Sequence, residues 1–321
     1  MNSSSIQNSP VQDHSSTASR SRRRIGPTLM TLLLTILLLC LPGLDAVGDT
    51  DTNTDTNADI NADTGQDVIR VVRGLDGAPQ TLEVAILHYG GSDGVRVDLV
   101  GAVHVGETEY FEALNRRLGQ YDRVLFELVG DPAALDAPPV GTPSLIGLLQ
   151  GGMKDALGLS YQLDEIDYSS PNFIHADLDA DEFRDSMRDR NESWFQMMVR
   201  AWALGMAQQG KPGAAEADLL KVLLASDRRL AFRRLLATQL ADQAGVLELL
   251  SGDDGSTLIE VRNARALQVL RHELDAGQQN VAVFYGAGHL PDLARRLEQD
   301  FGMRQLAVEW LPAWDLAGSA D

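Results

Sequence analysis

One pattern in this chain occurs twice. VGAVH at Val100–His104 and YGAGH at Tyr285–His289 each end a run of strand-forming residues with Gly-Ala-x-His. After His104 the residues Tyr110, Phe111, Leu114 and Leu118 recur at helical spacing, and after His289 so do Leu290, Leu293 and Leu297. A second strand follows each helix, RVLFELV with Glu127 and RQLAVEWL with Glu309. The glutamates fall 23 and 20 residues after their histidines (127 − 104 and 309 − 289). An internal duplication of a strand-helix-strand unit is the economical reading. A chain built this way folds as α/β (α+β), with a mixed sheet made from the two repeats. Ahead of the first repeat, TLEVAILHYG and GVRVDLVGAVH predict two strands joined by the turn GGSDG, the second alternating Val95, Val97 and Leu99 with Arg96 and Asp98.

Between the repeats lies a large insert, residues 142–275, whose apolar spacing is helical throughout, and it is expected to form an all-helical lid or subdomain. Asp179 followed by Glu182 predicts a capping box at one of its helices.

The segment before residue 68 is of another kind. Arg20 and Arg22–Arg24 close a basic n-region over residues 1–24, ahead of the uninterrupted apolar run 25–44. This predicts a signal peptide, or a single transmembrane anchor if it is never cut, with the remainder on the extracytoplasmic side, periplasmic or secreted. Residues 45–67 carry seven aspartates among Thr and Asn, too little to bury, and are expected to be a disordered acidic linker. The folded domain therefore starts near Val68 and runs to residue 321.

Chemistry is bounded by what the sequence omits. The net charge is −19 and only Lys154, Lys211 and Lys221 are lysines, which argues against a nucleic-acid partner. The sole cysteine, Cys40, lies in the apolar run, so any metal site must use histidine and carboxylate. GAGHLP lacks the third glycine of a dinucleotide fingerprint and no Walker-type Gly-Lys-Ser/Thr occurs, so no nucleotide cofactor is expected. The one G-x-S-x-G match, GGSDG at residues 90–94, falls in the turn between two predicted strands and not between a strand and a helix as a nucleophile elbow requires, and there is no H-E-x-x-H.

The recurrence makes His104 and His289 the leading functional residues. Functional groups collect where a strand gives way to a helix, and two such units packed side by side bring both imidazoles to one crevice. Neutral imidazoles suit a divalent metal, with Mn, Zn, Co and Fe all admissible. Glu127 sits among apolar residues, where an unpaired charge is costly, so it needs a partner and is a candidate metal ligand or water-activating base. Asp177, Glu309 and Tyr285 are candidates for the supporting ring around such a site. His88 and His272 read as structural.

These stretches, with IEVRNARAL, resemble the TraB/PrgY/GumN family, which includes the TIKI proteases and is distantly similar to the EreA and ChaN-like proteins. That family carries two G-x-x-H motifs, a glutamate on the strand after the first, and an Arg-Asn pair upstream of the second. His104, Glu127, Arg262 with Asn263, and His289 match these positions. Glu260 stands one place farther from the arginine than in the family's ERN form. The resemblance implies an α/β fold and, through its TIKI branch, metal-dependent peptidase activity. On this reading His104, His289 and Glu127 bind the metal, while Glu127, Arg262 and Asn263 act in catalysis on a peptide or small-molecule substrate. Two rivals stand beside it: a non-catalytic module that sequesters a peptide or other ligand, and a metal-independent esterase-type hydrolase using His and Glu.

Overall fold

The apolar runs of the two repeats become neighbouring parallel strands in a computed structural model of the chain, which describes residues 67–132, 157–190, 192, 220–243 and 256–318. β1 (Ile69–Arg73), β2 (Pro79–Gly90) and β3 (Arg96–Ala102) open the sheet as an antiparallel series. A two-residue strand β4 (Val105–Gly106), helix α1 (Thr108–Leu118) and β5 (Arg123–Phe126) complete the first repeat. The second consists of β8 (Asn280–Gly286), a short 3-10 turn over Ala287–His289, helix α6 (Leu290–Phe301) and β9 (Arg304–Asp315).

The repeats interlock. β8 inserts between β3 and β5 and runs parallel to both, and β9 returns to the far side of β2, so the sheet is mixed as expected. Ile86 pairs with both Val100 and Glu309, and Val84 with both Ile69 and Leu311; β9 therefore occupies one side of β2, and β1 and β3 share the other.

Side-chain alternation assigns the two faces. Asp98 turns toward α1, whose Tyr110, Phe111, Leu114 and Leu118 are buried as their spacing predicts. Gly101 turns the other way, toward Leu290 of α6. A Cβ at Gly101 would lie 2.8 Å from the Ala85 carbonyl oxygen and 3.2 Å from Leu290, so glycine here permits close helix-on-sheet packing. Neither Gly101 nor Gly286 has positive φ. α6 ends on Gly302, which does, at φ 63°.

The insert departs from the all-helical expectation. Besides α2 (Gln162–Glu165), α3 (Ala180–Asp189), α4 (Arg228–Gln243) and α5 (Arg262–Asp275), it contains β6 (Ser160–Tyr161), which pairs with β4, and β7 (Phe173–His175), which joins the main sheet parallel to β5. Strands of two and three residues leave no periodicity to read, and tertiary pairing defines them. Asp179 caps α3 with a full capping box to Glu182, as expected. α5 packs on β5, β8 and α6, on the face opposite α1. Residues 142–156, 191, 193–219 and 244–255 of the insert, the apolar run 25–44 and the acidic linker up to residue 66 lie outside the described residues. Among the described residues no helix is long and apolar enough to cross a membrane.

Candidate functional site

β3, β8, β5 and β7 run in one direction, and each delivers a side chain one to three residues past its end. These are His104 after Ala102, His289 after Gly286, Glu127 after Phe126 and Asp177 after His175. The carboxyl ends of parallel strands are where α/β sheets bind ligands. Glu127, read from sequence as a mid-strand residue, thus lies at a strand tip; pairing with β7 and β8 stops at Phe126, which the apolar run could not show.

Arg262, the first residue of α5, enters from the covering layer and is 2 % exposed. Its Nη2 donates to Glu127 Oε1 and to Asp177 Oδ2, both at 2.6 Å, and its Nε donates to Asp177 Oδ1 at 2.9 Å. The Gly286 N–H donates to the other Glu127 oxygen at 2.6 Å, an approach a Cβ on Gly286 would crowd at 3.2 Å. Burial by itself raises the Glu127 carboxyl, but Arg262, the two histidines and that N–H outweigh it and hold it well below the usual carboxylate range. Arg262 is held charged in spite of its burial, first by Asp177 and then by Glu127.

Asn263 fixes the second imidazole. Its Nδ2 donates to the His289 carbonyl at 3.2 Å and to Asp292 at 2.9 Å, so its Oδ1 is left to accept from His289 Nδ1–H at 2.7 Å. Nε2 is then the unprotonated nitrogen, 3.6 Å from Glu127 Oε1 and 3.4 Å from Arg262 Nη1. Burial pushes the His289 pKa down to about 4, against the pull of Glu127, so the ring is neutral near pH 7. Tyr285 packs edge-on against this ring at 5.2 Å and donates to the Ala176 carbonyl at 2.6 Å. The His104 ring is partly exposed and lies near enough to Glu127 and His289 to interact electrostatically with both.

His104, Glu127, Asp177, Arg262, Asn263, Tyr285 and His289 therefore gather in one cluster. Glu309 does not join it. Glu309, Ile86, Val100, Phe284 and Phe126 form one row across the sheet, which puts Glu309 four strand spacings, roughly 19 Å, from the β5 tip. Glu309 instead pairs with Arg117 and His88. Glu260 accepts from the Ser256 N–H and closes the π-type turn Thr257–Val261 ahead of Arg262. His175 bonds the Leu128 carbonyl at 2.7 Å. Asp292, which anchors Asn263, went unread in the sequence; its only sign there is an acid in the first turn of α6.

Among the described residues no group of three or more His, Cys, Asp or Glu side chains is gathered closely enough to hold a metal ion. Two donors do approach: the 3.6 Å between His289 Nε2 and Glu127 Oε1 suits two ligands of one ion with bonds of about 2 Å. Charge points the same way. Glu127 and Asp177 carry two negative charges against one on Arg262, and His289 is neutral, so the buried cluster has an excess of negative charge. No family model matches the chain, and no curated protein or solved structure matches it either.

Proposed function

We propose that this chain is an extracytoplasmic hydrolase of the TraB/PrgY/GumN type that cleaves a peptide or related amide bond with the help of a divalent metal. The observation that carries the reading is the unprotonated His289 Nε2 facing the ionised Glu127 at 3.6 Å, at the tips of parallel strands, inside a cluster of net negative charge. A neutral imidazole does not have to lose a proton before it binds a cation. His289 Nε2 and Glu127 Oε1 would hold the ion, with His104, which does not stand close enough to them in this structure to complete a three-ligand set, as the third candidate ligand; the ion would supply Lewis-acid polarisation of the scissile carbonyl.

The chain's own groups do the rest. Asn263 keeps the proton on His289 Nδ1 and the lone pair of Nε2 turned inward. Arg262 and the Gly286 N–H keep Glu127 ionised and oriented. Arg262 Nη1, whose contacts with the Leu258 carbonyl and His289 are both long at 3.4 Å, is the donor placed to meet charge developing on a carbonyl oxygen.

One observation favours a metal-independent route: the guanidinium already sits as a cation on Glu127. The deciding experiment measures metal content of the full chain purified without added metal, together with cleavage of a peptide library with and without chelator. Cleavage that needs metal and disappears in His104→Ala and His289→Ala supports the proposal. Chelator-resistant cleavage selects the imidazole-carboxylate route, and tight binding without products selects a sequestering module.

A further inference from the structure

Gln162 is 8 % exposed, and its Oε1 has no hydrogen-bond partner among the described residues. Buried acceptors are rarely left unpaired, so such an oxygen calls for a donor. The other end of the carboxamide is fixed, since Nε2 donates to the Tyr168 hydroxyl at 2.9 Å. Tyr168 borders the site: its ring stands 5.2 Å from that of Phe126, and the Glu127 charge acts on its hydroxyl.

Register places the donor. β4 and β6 pair Val105 with Tyr161, and the ladder runs on one residue as the Gln162 N–H donates to the His104 carbonyl at 2.9 Å. Residues opposite one another on an antiparallel ribbon share a face, with Cβ atoms about 5 Å apart. Gln162 and His104 are therefore opposite one another on the ribbon, and neither the amide oxygen nor the imidazole makes a hydrogen bond among the described residues, to the other or to any third group.

We propose that Gln162 is a positioning residue for His104. A turn of either side chain lets Oε1 accept the ring N–H, a bond this structure does not make, which would select one tautomer and leave the other nitrogen bare for the site. The second repeat shows the same device completed, with Asn263 Oδ1 on His289 Nδ1–H at 2.7 Å. Each Gly-Ala-x-His histidine is then held by a carboxamide borrowed from the insert, one from α2 and one from α5.

The inference takes His104 as a working group of the site, as proposed above, but its test does not depend on turnover. Full chain labelled with 15N-histidine, in detergent and without metal, is compared at one pH as the parent, Gln162→Leu, Gln162→Glu and the His104→Ala variant that assigns the signal. The parent should show a single His104 tautomer. Gln162→Leu should shift the tautomer ratio roughly five- to tenfold toward the other form, and Gln162→Glu, which can still accept, should restore it. The His289 signal reports whether the site is folded, and Gln162→Met replaces Gln162→Leu if that variant does not fold. An unchanged His104 ratio in the apolar variant overturns the proposal whether or not the protein proves to be a hydrolase. If Oε1 serves a substrate donor instead, the ratio stays fixed and only KM rises, which also overturns it.

Discussion

The two glutamates of the duplicated unit have come to opposite uses. Each is met by an arginine and a histidine: Glu127 by Arg262 and His289, Glu309 by Arg117 and His88. Around Glu309 the network closes on itself. Arg117 grips both carboxylate oxygens at 2.5 Å, His88 bridges to Asp98 at 2.9 Å, and Tyr121 donates to Asp98 at 2.6 Å. The Glu309 side chain is 40 % exposed, and its cluster ties α1 across β9, β2 and β3 in mid-sheet. Around Glu127 the same residue types are buried at strand tips, with more negative charge than positive and one imidazole nitrogen met only by a long 3.4 Å contact from Arg262 Nη1. Residue identity does not separate an exposed mid-sheet strut from a buried cluster at the strand tips; burial, charge balance and the place along the strand do.

The widest contrast concerns the arginines. Arg262→Leu leaves two buried carboxylates without their cation and should cost about 3 to 5 kcal/mol in denaturant unfolding, whereas Arg117→Leu should cost about 1 kcal/mol or less. Equal losses would break the comparison. The histidine supports come next. Asn263→Ala frees the His289 ring and should lower metal affinity or turnover about 10- to 100-fold, with His88→Ala leaving both unchanged. Turnover that falls equally in the two variants would count against a single site.

The smallest effect lies at Glu309. Arg117 first, and His88 with it, hold its carboxyl below the usual value near 4.5, against the opposing effect of burial. The sign follows: a lowered folded pKa contributes stability that is present above about 4.5 and lost as pH falls through the folded value. The stability gap between the parent and Glu309→Gln should therefore be constant near neutrality, no more than about 1 kcal/mol, and close in acid. A gap that widens as the solution is acidified would reverse the assignment.

How much of this was legible beforehand depends on what each residue answers to. His104 and His289 could be read because recurrence after Gly-Ala-x is a sequence fact, and the helices after them because 3.6-residue spacing survives in isolation. The mixed α/β sheet followed from the same units. Glu127 and Glu309 hold matching places in the two repeats, and the resemblance set Glu127 ahead; only pairing with β7 and β8 ends one strand at Phe126, while β9 continues through Glu309. Asp177 and Asp179 stand two residues apart before one helix, and nothing local says that the second caps α3 while the first reaches 85 positions onward to Arg262. Gln162 gave no sign, since its meaning rests on a two-residue strand paired with one more than 50 positions earlier.

Because every strand tip contributes one group, the chemistry is dispersed along the polypeptide until the sheet closes. Translation reaches His104, Glu127 and Asp177 well before Arg262, Asn263 and His289 are made. A growing or partly unravelled chain thus holds these side chains without the sheet that gathers them, and whatever the cluster does waits until the last of the parallel strands is in place.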